Sequence, residues 1–251
     1  MTKPTLLITG ATSGIGKAAA KALAPTYRLI LCGRRKAVLD ELKRELSSLT
    51  EVHTLTFDVR DKQAVFAAID SLPNEWSRID ALLNNAGNAH GLAPIQDGSV
   101  EDWDAMMDGN VKGLLYVSKP IIEKMKNQGS GHIINIGSIA GKEVYPNGNV
   151  YCASKFAVDA LTQGMRMDLN PFGIKVTAIH PGLVETDFSL VRFKGDAERA
   201  ASVYKGYKAL QAEDIAETIR FVLSAPAHVV LSDIVILPTA QASATIVKKT
   251  L

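Results

Sequence analysis

The chain has 251 residues, 47% of them hydrophobic and 22% charged, the balance of a globular protein whose core needs no disulfide or metal staple. Its 28 basic and 26 acidic side chains leave a net charge of only +2. That speaks against nucleic acid or an anionic membrane surface as a main partner.

In chain order, apolar runs predict strands at Thr5–Thr9, Arg28–Cys32, His53–Phe57, Ala81–Asn84, His132–Ile136, Lys175–His180 and Ile234–Leu237. Most are apolar on both faces, as central strands of a covered parallel sheet are. Between them, amphipathic stretches predict helices at Lys17–Leu23, Lys36–Leu46, Lys62–Ser71, Val100–Lys126, Val150–Asn170 and Glu213–Leu223. Pro25 and Pro171 stop the first and fifth of these, and Asp61 can cap the third. Ser99 with Asp102 makes a capping box ahead of Trp103. The alternation predicts an α/β fold, a Rossmann-type doubly wound parallel sheet of about seven strands with helices on both faces. It reads as one domain spanning residues 1–251. The mixed stretch Leu183–Lys208 is too long for a plain connection and predicts a substrate lid near 183–210.

The two cysteines, Cys32 and Cys152, have neither CxxC nor zinc spacing, and the five histidines are scattered. No metal site is expected. The N-terminus lacks the apolar core of a signal peptide, and no run is long enough to span a membrane. A reduced, cytoplasmic protein is expected.

The first strand runs into Thr9-Gly10-Ala11-Thr12-Ser13-Gly14-Ile15-Gly16, which opens a helix. Glycine there permits a tight turn and close backbone approach to a phosphate, and unpaired N–H groups of the new helix would face a pyrophosphate. The spacing is GxxxGxG rather than the GxGxxG fingerprint. The second strand ends in Gly33-Arg34-Arg35, where a ribose-binding carboxylate would stand in an NAD site. Two guanidinium groups there favour the 2′-phosphate of NADP(H). The bland alternative, two solvated cations, sits poorly at a helix start. Asp58 ends the third strand and is either a holder of the adenine amino group or a turn residue.

Asn84-Asn85-Ala86-Gly87 follows the fourth strand and Ser138 the fifth, while Tyr151 and Lys155 lie four apart on one helical face. A phenol is too weak an acid to serve as a base near neutrality, and a neighbouring ammonium would lower its pKa. Lys155 stands one turn away for that purpose and could bind ribose hydroxyls. Ser138 could polarise a substrate oxygen, and Asn110 could hold a water beside Lys155. Each feature is weak singly; the case rests on their joint order. Cys152 has no base beside it in sequence and reads as a packing residue.

Taken together, Thr9-Gly-x-x-x-Gly-Ile-Gly16, Asn84-Asn-Ala-Gly87, Asn110, Ser138, Tyr151-x-x-x-Lys155 and Pro181-Gly182 with Thr186 resemble the short-chain dehydrogenase/reductase family over nearly the whole chain. The resemblance implies a catalytic tetrad of Asn110, Ser138, Tyr151 and Lys155. It implies cofactor contacts from Gly10, Thr12, Ser13, Gly14, Ile15, Gly16, Arg34, Arg35, Asp58, Val59, Asn85, Ala86, Gly87, Tyr151, Lys155, Pro181, Gly182, Val184 and Thr186. It also implies that Asn84 steadies the sheet and that the assembly is a homotetramer. Ser71-Leu-Pro-x-x-Trp76, Ser99-Val-Glu-Asp-Trp103, Pro181-Gly-Leu-Val-Glu-Thr-Asp-Phe188 and Val191-Arg-Phe-Lys-Gly-Asp196 look like the NADP-dependent serine 3-dehydrogenase or 3-hydroxy acid dehydrogenase branch. This implies a small hydroxy acid substrate. Its carboxylate would meet Arg192 or Lys194, with Ser138 on its oxygen. A reductase of bulkier ketones or aldehydes and a non-catalytic NADP(H) sensor are the rival readings.

Overall fold

The structure, a computed structural model, describes residues 3–250; Met1, Thr2 and Leu251, the outer ends of the predicted domain, lie outside the described residues. Seven parallel strands make one sheet: β1 Thr5–Thr9, β2 Arg28–Gly33, β3 Val52–Thr56, β4 Ala81–Asn84, β5 Gly131–Ile136, β6 Ile174–Pro181 and, last in the chain, Asp233–Ile236. Counting also the short pair β7 Val184–Glu185 and β8 Leu210–Gln211, that last strand is β9. The order across the sheet is β3-β2-β1-β4-β5-β6-β9. The chain therefore winds outward from β1 to β3, then crosses back to β4 on the other flank of β1. The crevice at the carboxyl ends of β1 and β4 is where such sheets bind ligands.

Helices α1 Gly14–Leu23, α2 Lys36–Leu46, α3 Lys62–Asp70, α4 Val100–Met107, α5 Gly113–Gln128, α6 Asn149–Leu169 and α9 Ala212–Ser224 are the crossovers, and α7 Phe188–Arg192 and α8 Ala197–Ser202 lie between β7 and β8. Successive strand residues feed opposite cores. Leu6, Ile8, Leu29 and Leu31 pack with Ala19, Leu23, Leu39 and Ile219, while Leu7, Ile30 and Leu82 pack with Val65, Ile69, Val117 and Ile121. Asp61 caps α3 through Ala64 N, and the Ser99 hydroxyl caps α4 through Asp102 N, as the sequence suggests.

Two expectations differ. The long helix predicted over Val100–Lys126 is broken by a π-turn at Asp108–Lys112, which carries Asn110; such turns leave no apolar-pattern signature and often mark functional positions. The lid stretch contains α7, α8 and the β7-β8 pair rather than an open loop.

Asn84 is buried between helix and sheet. Its amide donates to Ser118 Oγ at 2.8 Å and to Asn135 Oδ1 at 2.9 Å, and Asn135 in turn donates to Thr162 at 2.9 Å. This buried polar ladder joins β4 and β5 to α5 and α6, fixing the helices that carry the site.

Candidate active site

The glycine turn is built to leave N–H groups free. Gly10 and Gly14 have φ of 65° and 48°, conformations costly for a residue with a side chain. Ser13 precedes α1 without a side-chain cap bond, so the first-turn N–H groups have no internal acceptor. Gly16 serves packing instead: a side chain there would collide with the Gly10 carbonyl and the Asn85 amide. Asn85 binds the turn back through its amide, to Thr9 O at 3.0 Å and Gly10 O at 3.3 Å. Thr9 Oγ1 accepts from Asn85 N and Ala86 N, both at 3.0 Å. The ends of β1 and β4 are thus one rigid cradle.

A cavity of about 640 Å³ runs from this cradle along the carboxyl edge of the sheet. Its walls include Gly10, Thr12, Ser13, Gly14, Ile15, Arg34, Arg35, Asp58, Val59, Asn85, Ala86, Gly87, Ser138, Tyr151, Lys155, Pro181, Gly182, Val184, Thr186 and Arg192. Of the residues singled out from the sequence, Gly16, Asn110 and Lys194 are not in the wall. Sequence reasoning passed over Arg60, Asn88, Tyr145, Phe188 and Gln241, which are. Arg60 could have been found as a third arginine at a strand end. Tyr145 and Gln241 arrive by tertiary folding and leave no local signal.

At one end, Arg35 donates to Thr12 O at 3.0 Å and Thr12 Oγ1 at 2.9 Å. Arg34, 69% exposed, lies 3.6 Å from Asp58, and Arg60 grips the same carboxylate at 2.7 Å. The Arg60 hydrogen bonds hold Asp58 below the usual carboxylate range despite partial burial. The donor set, open amides beside the guanidinium groups of Arg34 and Arg35, fits a dinucleotide bearing an extra phosphate.

At the other end, Tyr151 and Lys155 are buried, 8% and 7% exposed, on the inward face of α6. The Lys155 ammonium donates to the Ile136 carbonyl at 3.0 Å and lies 6.0 Å from the Tyr151 ring centroid. Burial brings its pKa down to about 8. Burial first, and then Tyr145, push the Tyr151 hydroxyl well above its ordinary pKa, against the pull of a Ser138 hydrogen bond and Arg192. The sequence has the Lys155 ammonium lowering the phenol's pKa; burial outweighs any such pull and keeps the Tyr151 hydroxyl protonated near neutrality. Asn110 is held by its side-chain amide, which accepts from Asn88 N at 2.7 Å and donates to Asn88 O at 2.8 Å and Ser154 Oγ at 3.0 Å. It lies behind the wall at Gly87, where a side chain would come within 3.0 Å of Asn110 Oδ1 and 3.7 Å of Lys155 Nζ.

Arg192 ends α7 and reaches back over the site, its guanidinium carbon 5.4 Å from the Tyr151 ring centroid and 5.5 Å from that of Tyr145. Its Nε donates to Gly91 O at 3.1 Å, and one terminal nitrogen is buried with no hydrogen-bond partner. Lys194, by contrast, is turned outward by a left-handed backbone, φ 53°, and pairs with Asp102 at 3.0 Å. The expectation that it meets the substrate is corrected on that ground. Thr186 lies against Gly14, so the segment after β6 borders the cradle.

The short chain dehydrogenase family profile matches residues 4–196. The chain is 45% identical to sulfoacetaldehyde reductase 2 of Chromohalobacter salexigens, covering 94% of this chain and 95% of the relative. It is 42% identical to the NADP-dependent 3-hydroxy acid dehydrogenase of Escherichia coli K12, covering 95% and 96%. Among solved structures, the closed form of a serine dehydrogenase complexed with NADP+ superposes with a TM-score of 0.92 at 41% identity, covering 98% of this chain and all of that one. With that profile matched across most of the length and relatives above 40% identity end to end, the chain belongs to the short chain dehydrogenase family.

Proposed function

We propose that the protein transfers hydride between NADP(H) and a small hydroxy compound bearing an anionic group, a 3-hydroxy acid such as serine or L-allo-threonine or the matching keto acid or semialdehyde. The oxidoreductase class follows from the family, and NADP(H) from the NADP-dependent relatives together with Arg34 and Arg35 at the end of β2. The observation that carries the substrate reading is Arg192: a guanidinium over the Tyr151 ring with a buried nitrogen lacking any acceptor. A substrate carboxylate would supply that acceptor through a charge-assisted hydrogen bond. A sulfonate offers the same charge, and the likeness to a sulfoacetaldehyde reductase favours it as the second reading.

The nicotinamide, when bound, gives or takes the hydride. Tyr151, protonated near neutrality, gives its proton to the carbonyl oxygen during reduction and recovers it during oxidation. The Lys155 ammonium holds the ribose hydroxyls and stabilises the phenolate once it forms. Ser138 donates to the substrate oxygen. Asn110 clamps the Asn88 backbone and Ser154, holding the strand-end turn against α6. Asp58, fixed by Arg60, takes the adenine end. Residues 183–210 are the lid of a single domain, and closure excludes water from the reacting atoms. A cationic Arg192 in the cavity wall, where a bulky neutral ketone would need an apolar lid, disfavours that rival reading. A buried Tyr–Lys pair would have no use in a mere sensor.

Exposed Leu115, Phe156 and Met167 on the outer faces of α5 and α6 suit packing against further copies in a homotetramer. Among the described residues no helix is long and apolar enough to cross a membrane, and a cytoplasmic location fits that.

The test is a panel read at the nicotinamide absorbance: serine, L-allo-threonine, 3-hydroxypropionate, sulfoacetaldehyde, a neutral aldehyde of similar size and bulky ketones. Arg192→Leu should cut kcat/KM for the anionic compounds by about 100-fold, the worth of a buried charge-assisted contact. The neutral aldehyde should change by less than about threefold. Equal losses on both, or a preference for bulky ketones, would remove the assignment.

A further inference from the structure

Behind Ser138 lies a charged cluster that the proposed chemistry does not use. His180, on β6 just before Pro181, is fully buried. Its ring packs so closely on Gly137 that any side chain there would collide with it. Nδ1 lies 3.2 Å from the Ser138 carbonyl oxygen, which also accepts from Gly141 N at 2.8 Å. Nε2 lies 3.1 Å from Asp233 Oδ1 and 3.6 Å from Asp159 Oδ1, yet makes no hydrogen bond. The charged groups facing the ring are Asp233 on β9, Asp159 on α6 and Lys142 on the turn after Ser138. Lys142 donates to both carboxylates, at 2.6 Å and 3.0 Å.

Asp159, His180 and Asp233 bring three ligand atoms within 4.8 Å of one another. That is compatible with a metal by distance alone, but the Lys142 ammonium already bridges both carboxylates and offsets one of their two charges. The cluster has a different logic. A neutral imidazole carries one ring proton, and both its nitrogens here face only acceptors. Placed on Nε2, the proton would lie 3.1 Å from Asp233 but out of hydrogen-bonding line, and would leave a lone pair against the Ser138 carbonyl. Placed on Nδ1, it holds that carbonyl. Lys142 decides the matter by weakening the carboxylates' claim. Burial, and after it Lys142, lower the His180 pKa against the pull of the two aspartates, so the ring is neutral near pH 7.

We propose that His180 is a positioning residue for Ser138, and that Lys142, by compensating Asp159 and Asp233, keeps the single ring proton on Nδ1 where it holds the Ser138 carbonyl. The cluster thereby ties together the segments carrying Ser138, the Tyr151–Lys155 helix and the Pro181–Thr186 loop. This rests on Ser138 serving the substrate oxygen as proposed above.

The experiment compares purified variants with NADPH and the panel substrate turned over fastest. Asparagine can place an amide N–H where Nδ1 stands; leucine cannot. His180→Leu should lower kcat by about tenfold or more, within the range for a misaimed donor. NADPH affinity, read by its fluorescence, should stay within about twofold. His180→Asn should recover kcat to within about threefold of the parent. Equal kcat in the Leu and Asn variants overturns the proposal. Lys142→Met is an independent arm if the leucine variant does not fold. Uncompensated aspartates should draw the proton to Nε2, and only the doubly protonated ring would then hold the carbonyl. The ratio of its kcat to the parent's should fall as pH rises across the imidazole range, roughly pH 6 to 8. A flat ratio overturns the proposal. Ser138→Ala is the control: activity kept there removes the role of Ser138 itself. Activity lost there but kept in His180→Leu removes only the role of His180.

Discussion

At the end of the cavity where the proposed function puts the adenosine, Arg34 and Arg60 share the Asp58 carboxylate near the surface, and Arg35 leans on Thr12. At the opposite end, where the proposed function puts the nicotinamide, Lys155 has a carbonyl for its partner in the protein interior, and one buried Arg192 nitrogen makes no hydrogen bond. The contrast sets the size of what a ligand can do. At the open end a phosphate would compete with Asp58 and water for exposed guanidinium groups, so a contact there is worth about 1–2 kcal/mol. At the closed end, ligand atoms meet groups already stripped of water, whose satisfaction is worth far more. On the proposed reading, burial thus segregates cofactor-binding contacts from catalytic contacts along one crevice.

The largest effects are expected where burial is greatest. Tyr151→Phe and Lys155→Met should each lower kcat by roughly 10² to 10⁴, the usual worth of a positioned proton donor and its support. The two should part in stability. The folded pKa of Lys155, about 8, lies below the unfolded value near 10.4. Between those values the unfolded chain binds more protons, so stability rises as pH climbs through that interval and falls as pH drops toward 8. At pH 7 the fold carries the full cost of a buried ammonium. Lys155→Met should therefore raise Tm by about 3 °C or more at pH 7, and less at pH 10. A lower Tm at pH 7 would mean that the Ile136 contact outweighs desolvation.

A smaller effect is expected at the open end. Arg34→Ala should lower NADP(H) kcat/KM by about 10- to 30-fold, the worth of a partly exposed charge-assisted bond. NAD(H) use should change by less than about threefold. Equal loss with both cofactors would place Arg34 in the cradle's structure instead of at the 2′-phosphate. The contrast between the ends would be erased if this variant cost as much as Tyr151→Phe.

Much of this was legible in the sequence because it is local. The seven strands announce themselves as apolar runs, and Tyr151 with Lys155 share a face by helical arithmetic alone. The glycine turn likewise needs only its position between a strand and a helix. What stayed hidden depends on distance in the chain. The sequence puts Lys155 one turn from Tyr151, but burial depends on everything packed around α6, and burial sets the sign of the Tyr151 shift. Asn110 sits in a π-turn that periodicity cannot detect. His180 looked like one of five scattered histidines; its neighbours Lys142, Asp159 and Asp233 come from three other segments.

The lid gives the finest form of the comparison, because two cations two residues apart have opposite fates. Sequence chemistry treats Arg192 and Lys194 alike. The backbone separates them: α7 ends at Arg192, and the left-handed turn at Lys194 goes with a side chain paired to Asp102, whose carboxylate is 17% exposed. That ion pair, with a lysine side chain 63% exposed, is of the kind that contributes about 0–1 kcal/mol. Lys194→Ala should therefore change kcat/KM for anionic substrates by less than about threefold, and added salt should shrink even that difference. Its small effect should appear with neutral aldehydes too, since a loosened lid does not distinguish substrate charge. A loss confined to anionic substrates and as large as that of Arg192→Leu would move the substrate site to the outer end of the lid, and with it the boundary between paired and unpaired charge.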